Sequence, residues 1–378
     1  MGADTFVPQI IRSEGFEKLK QQIVDNGLCS RCGTCAAFCE RLEMDEDGPK
    51  LVKECVMNDG AIKCGEMGTC YDNCPILSFS PTDLDKKVFG ETRVDKVLGT
   101  FKKIVAVKSK TSEILNKSQD GGAVTAFLLC ALEEKLIECA IVASRDENWK
   151  AVPAVAYDKK SLFDSMGTKY SAIPSVTTIG RMIYKHRTLA LVGTGCQIAG
   201  FKQSEQSTLK VLIDKKKESK NPFNILTIGL FCYENFKYSK YEEKVKDTFG
   251  INLEDIVKND IIKGKVIINT KDGKEHTKPV QMFNDIVEDC CAICEDFTAS
   301  FADISVGSVA SHDDYSTVII RSDKGLELLD KAIKKGYVEM IEKTMPKIIN
   351  KVESSKDKKR DSVRKKIEKE GGYLPTYS

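Results

Sequence analysis

Cys29, Cys32, Cys35 and Cys39 stand at the spacing C-x2-C-x2-C-x3-C. Three thiolates in one tight loop can wrap one face of a cubane 4Fe-4S cluster, and the fourth usually reaches a second cluster. Zinc ribbons hold their ligand pairs far apart, so this density speaks against zinc. A disulfide framework fits worse, because the chain is long and charged and shows no secretory signal. Cys64, Cys70 and Cys74, followed by Pro75, would repeat the motif if position 67 were Cys, but it is Met67. Cys55 lies nearby and can fill the vacancy. In the crossed pattern of paired clusters, one cube takes Cys29, Cys32, Cys35 and Cys74. The other takes Cys39, Cys55, Cys64 and Cys70.

Four further cysteines sit at predicted strand ends or loops. They are Cys196 in VGTGCQIAG, Cys232 in IGLFCYENF, and Cys291 and Cys294 in CCAICEDF. Two thiols at C-x2-C and two distant ones can assemble a third four-thiolate site. Scattered structural cysteines are the competing reading. Either Cys290 or Cys291 could be the ligand, and Cys291 keeps the C-x2-C spacing with Cys294. Three cubes then use twelve of the fifteen cysteines and leave Cys130, Cys139 and Cys290. Cys130 and Cys139 lie in apolar surroundings, as small hydrophobes do.

Two polar stretches could meet a phosphate or a ring. SQDGGAVTAFLL puts Gly121 and Gly122 at a helix N-terminus, where N–H groups and the helix dipole favour an anion. Ser118, Asp120 and Thr125 add hydrogen-bonding groups. GTKYSAIP offers Lys169 for a phosphate and Tyr170 for stacking. Taken alone, an N-cap by Asp120 and an exposed loop are simpler accounts of the two stretches.

The elements that must position these residues follow from the rest of the chain. With 378 residues, 41% hydrophobic and 30% charged, it is an ordinary globular chain with room for two or three domains. A net charge of +2 argues against non-specific nucleic-acid binding. No apolar run approaches the ~20 residues that span a bilayer. Fifteen cysteines without a signal point to a reducing cytoplasm. Residues 1–25 read as a helical lead-in, and 26–77 as a small ferredoxin-like domain with two 4Fe-4S clusters. Residues 78–101 read as a linker and 102–345 as an α/β (mixed α+β) domain. Residues 346–378 read as a charged helical tail in solvent, with docking onto a partner as the second reading. Strands are predicted at 104–109, 138–144, 151–157, 188–194, 223–232, 302–308 and 315–322. Helices are predicted at 121–136 and 323–336, and a hairpin at 263–280 turning at Asp272-Gly273.

The stretches SQDGGAVTAFL, GTKYS, LVGTGCQIAG, GLFCYENF, CAICEDFTASFADISVGS and STVIIR, in this order, resemble the family of coenzyme F-420 hydrogenase/dehydrogenase beta subunits. They span 118–321, and the cysteine motifs extend the match back to Cys29. The family often has Pro where this chain has Gly195, and Cys where it has Met67. The resemblance implies bound FAD and a docking place for the deazaflavin F-420. It implies a 4Fe-4S cluster on Cys196, Cys232, Cys291 and Cys294. It carries Ser118, Asp120, Gly121, Gly122, Thr125, Lys169, Tyr170, Gly193 and Thr194 to the flavin site. No side-chain nucleophile is expected, because the cofactors carry the chemistry. The implied function is hydride exchange between F-420 and FAD, with single electrons passed through the clusters to or from a partner redox subunit. That partner would dock near the ferredoxin-like domain, with a peripheral place on a membrane complex allowed. A self-contained flavoprotein reductase and a flavin-free electron-transfer protein are the alternatives.

Overall fold

Runs rich in Val, Ile, Leu and Ala, such as IVAV, CAIVA, LALV and ILTI, leave neither face suited to water. In the computed structural model, which describes residues 14–55, 68–210, 223–312 and 314–377, they form the middle of an eight-stranded sheet. Two short strands precede it, β1 (Leu42–Met44) and β2 (Pro49–Leu51), paired as a hairpin. The chain then contributes β3 (Lys103–Ser109), β4 (Cys139–Arg145), β5 (Ala151–Ala156), β6 (Thr188–Thr194) and β7 (Asn224–Leu230). After β8 (Ile256–Ile262), β9 (Lys265–Thr270) and β10 (Glu275–Pro279) come β11 (Ile304–Gly307), β12 (Ser316–Ile320) and β13 (Val338–Ile341). The large sheet has the order β13-β3-β12-β11-β7-β6-β4-β5, and β10-β9-β8 form a separate antiparallel sheet.

Direction matters more than order here. β11, β7, β6 and β4 pair in parallel. β12 runs antiparallel to both β11 and β3, so β3 points the same way as the parallel four. Five strands therefore end along one carboxyl edge, where open α/β sheets bind their ligands. Helices Ala123–Glu133 and Asp323–Lys334 cover one face of the sheet around Phe127, Leu128 and Leu329. Helices Ser175–Met182 and Gly195–Gln206 cover the other around Ile179, Ile198 and Phe201.

Four strands lie outside the sequence expectation. β1, β2 and β13 have three or four residues each, too short for a periodic signal, and β8 breaks alternation by exposing Val257 and burying Asp260. The stretch read as a linker holds the helix Pro81–Phe89, capped by Ser80, with Leu84 buried in the second core. The tail reading needs correction. Helices Pro346–Ser354 and Asp357–Lys369 lie against the body, with Ile349, Glu353, Lys356 and Arg360 all buried. The apolar positions gave no hint of this side, because Ile348 is exposed while its neighbour Ile349 is in the core.

The N-terminal region has a small core of Phe16, Leu19, Ile23, Leu28, Leu42, Ile76 and Leu77, joined by Cys35 and Cys70. It fastens to the sheet's second face through backbone contact. Gly180 packs on the Ala37 carbonyl so closely that any Cβ would collide with it. Gly200 likewise makes room for the Thr34 side chain, and the Val176 N–H donates to the Cys32 carbonyl at 3.2 Å. Gly180→Ala is therefore expected to cost about 1–3 kcal/mol and to make the N-terminal region the first site of limited proteolysis. An unchanged melting curve and an unchanged cleavage pattern would refute this docking.

Candidate redox site

The cysteine motif folds as a loop into the short helix Thr34–Ala37, and Cys74 follows the helix Thr69–Asp72. Cys29, Cys32, Cys35 and Cys74 line a single cavity whose other walls include Leu19, Ile23, Val24 and Ile76. Burial pushes the Cys29 thiol up to about 11 and lifts Cys35 and Cys74 well above the ordinary range. Neighbouring thiols push in the same direction. Thiols raised in this way become thiolates together only if positive charge is placed among them. The Arg31 N–H points at the Cys29 sulfur at 3.4 Å, and the Thr34 hydroxyl lies 3.3 Å from that of Cys32. Donors aimed at sulfur are what an iron–sulfur cluster uses. This donor set, dry and thiol-only, suits a 4Fe-4S cluster.

For the second set, Cys64 and Met67 lie outside the described residues. Cys39 and Cys70 belong to the same apolar cluster as Cys35 and Cys74. Arg41 donates to the Glu54 carbonyl at 2.8 Å, which brings the Cys55 segment back beside the motif. Among the described residues no three His, Cys, Asp or Glu side chains are close enough to share one metal ion.

The third set is built by strand register. Thr194 and Leu230 are paired across β6 and β7. Cys196 and Cys232 each come two residues later, so they leave the carboxyl edge side by side. Cys291 and Cys294 arrive on and just after the helix Asp289–Ile293. The Cys232 N–H donates to the Phe297 carbonyl at 2.9 Å, and the Asn235 N–H donates to the Cys291 sulfur at 3.3 Å. Burial raises Cys196, Cys232 and Cys294, the last to about 11. Cys291 alone is lowered, first by the Cys290 thiol donating to it. The Cys290 and Cys291 thiols are thus in contact. After burial, the Cys32 thiol is the neighbour that weighs most on Cys196, so the first and third sets are close. A cavity of about 330 Å³ lies between them, lined by Pro75, Ile76, Cys196, Cys294, Asp296 and Tyr377 among others. Gly195 is needed here, since a Cβ would meet Asp296 at 2.7–2.8 Å. Cys130 and Cys139 are fully buried in the two faces' cores.

The two polar stretches meet through a residue that sequence reasoning passed over. The Gln119 side-chain oxygen accepts from Thr168 at 3.1 Å and from Tyr170 at 3.2 Å, and its amide donates to the Ile261 carbonyl at 3.1 Å. The Phe236 N–H in turn donates to the Tyr170 carbonyl at 2.9 Å. The glycine-rich entrance, the GTKYS loop and the Cys232 loop are thus neighbours on the carboxyl edge. The Ser109 N–H bonds to the Gly121 carbonyl at 2.7 Å where β3 ends.

Several individual roles change. The N-cap of helix Ala123–Glu133 is Gly122, in the left-handed region at φ +68°, and Asp120 is not the cap. The space left by Gly121 is filled by the Val107 carbonyl and the Ser316 N–H, and that left by Gly122 by Ile114 and Ser118. A Cβ at Gly121 would thus meet backbone, and one at Gly122 would meet side chains. The Ser118 hydroxyl donates to the Asp120 carbonyl at 2.7 Å, which fixes the loop. The Lys169 ammonium is enclosed by the carbonyls of Ser165, Met166 and Gly167, so it does not reach out to a phosphate. Burial pulls it down to about 7, helped by Arg145. Tyr170 packs its ring against the lobe of Phe236, Tyr241 and Phe283 and accepts from the Ile261 N–H at 2.7 Å. Thr194 and Gln197 form a capping box under Cys196, and Gly193 packs on Gln197. Thr125 lies in the first turn of its helix, half-buried. Arg145, which bonds the Thr168 carbonyl at 2.8 Å and stacks 3.5 Å from the Trp149 ring centre, is a cation at this edge that no motif announced.

Comparison with known proteins agrees with this layout. Residues 104–179 match the N-terminal part, and 186–345 the C-terminal part, of the family described as coenzyme F-420 hydrogenase/dehydrogenase, beta subunit. The chain is 37% identical to the coenzyme F-420 hydrogenase subunit beta of Methanothermobacter thermautotrophicus, over 64% of this chain and 85% of that one. It is 35% identical to the coenzyme F-420-dependent sulfite reductase of Methanocaldococcus jannaschii, over 87% of this chain but only 50% of that longer protein. It is 33% identical to the coenzyme F-420 hydrogenase subunit beta of Methanosarcina barkeri, over 73% of this chain and 91% of that one. A chain of the F-420-reducing NiFe hydrogenase complex from Methanosarcina barkeri shares the fold at a TM-score of 0.63 and 30% identity, covering 75% of this chain and 98% of that one. The chain belongs to the family of coenzyme F-420 hydrogenase/dehydrogenase beta subunits, which are F-420-linked oxidoreductases.

Proposed function

We propose that this chain is the flavin and iron–sulfur subunit through which coenzyme F-420 exchanges reducing equivalents with a partner redox protein. The observation that carries this is the carboxyl edge: the Gln119-linked loops and the Cys196/Cys232 pair share it, and the Cys29–Cys74 cavity lies just beyond. When bound, FAD would supply the one group able to trade hydride with a deazaflavin and single electrons with clusters. Ser118 to Thr125, Lys169, Tyr170, Gly193 and Thr194 would form its surroundings. In that role Gln119, Lys169 and Tyr170 hold the loops in shape, and the N–H groups at the start of helix Ala123–Glu133 face an anionic portion. Cys196, Cys232, Cys291 and Cys294 would hold one 4Fe-4S cluster, and Cys29, Cys32, Cys35 and Cys74 another. Cys39, Cys55, Cys64 and Cys70 would hold a third, toward the partner. The N-terminal region would serve as the ferredoxin-like outlet. No described helix is long and apolar enough to cross a membrane, so contact with a membrane complex would run through a partner subunit.

Anaerobic reconstitution of the full chain should give flavin in stoichiometric amount and iron near twelve atoms per chain, roughly four per cluster. Reduced F-420 should then reduce a viologen dye. Absence of flavin, or of dye reduction, would sink the proposal. Cys232→Ala should retain flavin, lose about a third of the iron and lose dye reduction.

Lys169 gives a pH signature. Its folded-state value, about 7, lies below its ordinary 10.5. Between these values the unfolded chain holds a proton that the folded chain has shed, so this group makes stability rise with pH. Lys169→Met should flatten the rise in melting temperature between about pH 7 and pH 10. If wild type and variant show parallel profiles, Lys169 is not buried as described.

A further inference from the structure

The charged tail brings two cations to the third thiol set. Lys356, in the bend between the last two helices, is 2% exposed. Its ammonium donates to the Tyr233 carbonyl at 2.6 Å, one residue past Cys232, and lies 5.0 Å from the Tyr233 ring centre. One turn later, the Arg360 guanidinium donates to the Cys294 carbonyl at 2.9 Å and pairs with the buried Glu353 carboxylate. Burial opposes the Lys356 charge, yet Cys294, Glu353, Cys291 and Cys232 together hold its ammonium above the ordinary lysine value. The other charges facing the set are Glu234 near Cys291 and Asp296 near Cys294. Glu234 is engaged by the exposed Lys359 at 2.9 Å, and Arg360 offsets Glu353. Of the cations facing this set, Lys356 is the buried one left with no carboxylate of its own within ion-pair distance among the described residues.

A buried full charge beside a cluster is poorly screened by salt. Each electron that arrives adds one negative charge to the cluster while the four thiolates stay bound. A fixed ammonium stabilises that extra charge, and net charge near a cluster is one of the factors that set its potential. We propose that Lys356 is a positioning residue of the electron path, the tail-borne cation that raises the reduction potential of the cluster on Cys196, Cys232, Cys291 and Cys294. The tail is then a working part of the redox centre. Its cation makes this cluster the favoured place for an electron leaving the flavin side. This rests on the thiol set proposed above.

The test is an anaerobic potentiometric titration of the full reconstituted chain, followed by electron paramagnetic resonance. The signal that vanishes in Cys232→Ala identifies the third cluster. If wild type has no such signal, the thiol assignment fails and not this inference. With the signal present, Lys356→Met should move its midpoint to lower potential, while Lys356→Arg stays close to wild type. Lys358→Met, two residues on at the surface, should leave it unmoved. A midpoint unchanged in Lys356→Met overturns the proposal, as does an equal drop in Lys356→Arg. If Lys356→Met fails to take up the cluster, Lys356→Arg decides. Signal and wild-type midpoint regained support the charge role, and loss in both variants overturns it.

Discussion

Thiols buried away from water do not ionise unaided, and most of this structure can be traced to that constraint. Apart from Cys291, the candidate ligands with a resolved shift are raised, chiefly by burial and then by one another. Such groups are costly to leave as they are and become useful only when positive charge joins them. The chain supplies some of that charge itself. Backbone N–H groups point at Cys29 and Cys291, and an ammonium stands beside Cys232. Iron would supply the remainder. The small core of the N-terminal region, a handful of side chains that includes two of the cysteines, fits a region whose cohesion depends on what its cysteines hold.

Bringing two thiol sets close demands tight contact between a small region and a large sheet. The chain meets that demand with glycine backbone packed directly on its neighbours. Gly180 against Ala37, Gly33 against Pro174 and Gly200 against Thr34 each occupy space that a methyl group would fill. The Ile173 carbonyl accepts from Gln197, which lies in the first turn of the helix that Cys196 opens. The segment 173–180 therefore touches the Cys32 loop at one end and the Cys196 turn at the other. Electron transfer between clusters needs short gaps, and these glycines bring the two thiol sets together.

Much of this was legible in the sequence, for reasons that differ by residue. Cysteine spacing reports ligand chemistry directly, so Cys29, Cys32, Cys35 and Cys74 could be named and do line one cavity. Cys196 and Cys232 were readable because each follows an apolar run, and strands end where such runs end. Flavin contacts were less legible. A Gly-Gly pair reads the same whether a ligand or the chain's own backbone fills the space, and here Val107 and Ser316 fill it. Lys169 looked like a free cation because sequence does not show three carbonyls folding over an ammonium. Gln119 carried no signal, since one amide bridging three loops has no spacing rule.

The tail shows why charge is a poor guide to exposure. Lys-rich stretches usually mark solvated faces, because a buried ammonium needs partners that local sequence cannot name. Lys356 and Arg360 find theirs at Tyr233 and Cys294, far back along the chain, and Arg360 also at Glu353. The hydrophobic positions alone would not hold this segment, since Val352, Val363 and Ile367 are only partly covered. Cohesion comes instead from a fit between cationic side chains and the electron-rich surroundings of thiols and carbonyls. That fit strengthens whenever the thiols are ionised. With a cluster on the third thiol set as proposed, docking of the tail and loading of that set would be linked quantities, each stabilising the other by the same free energy.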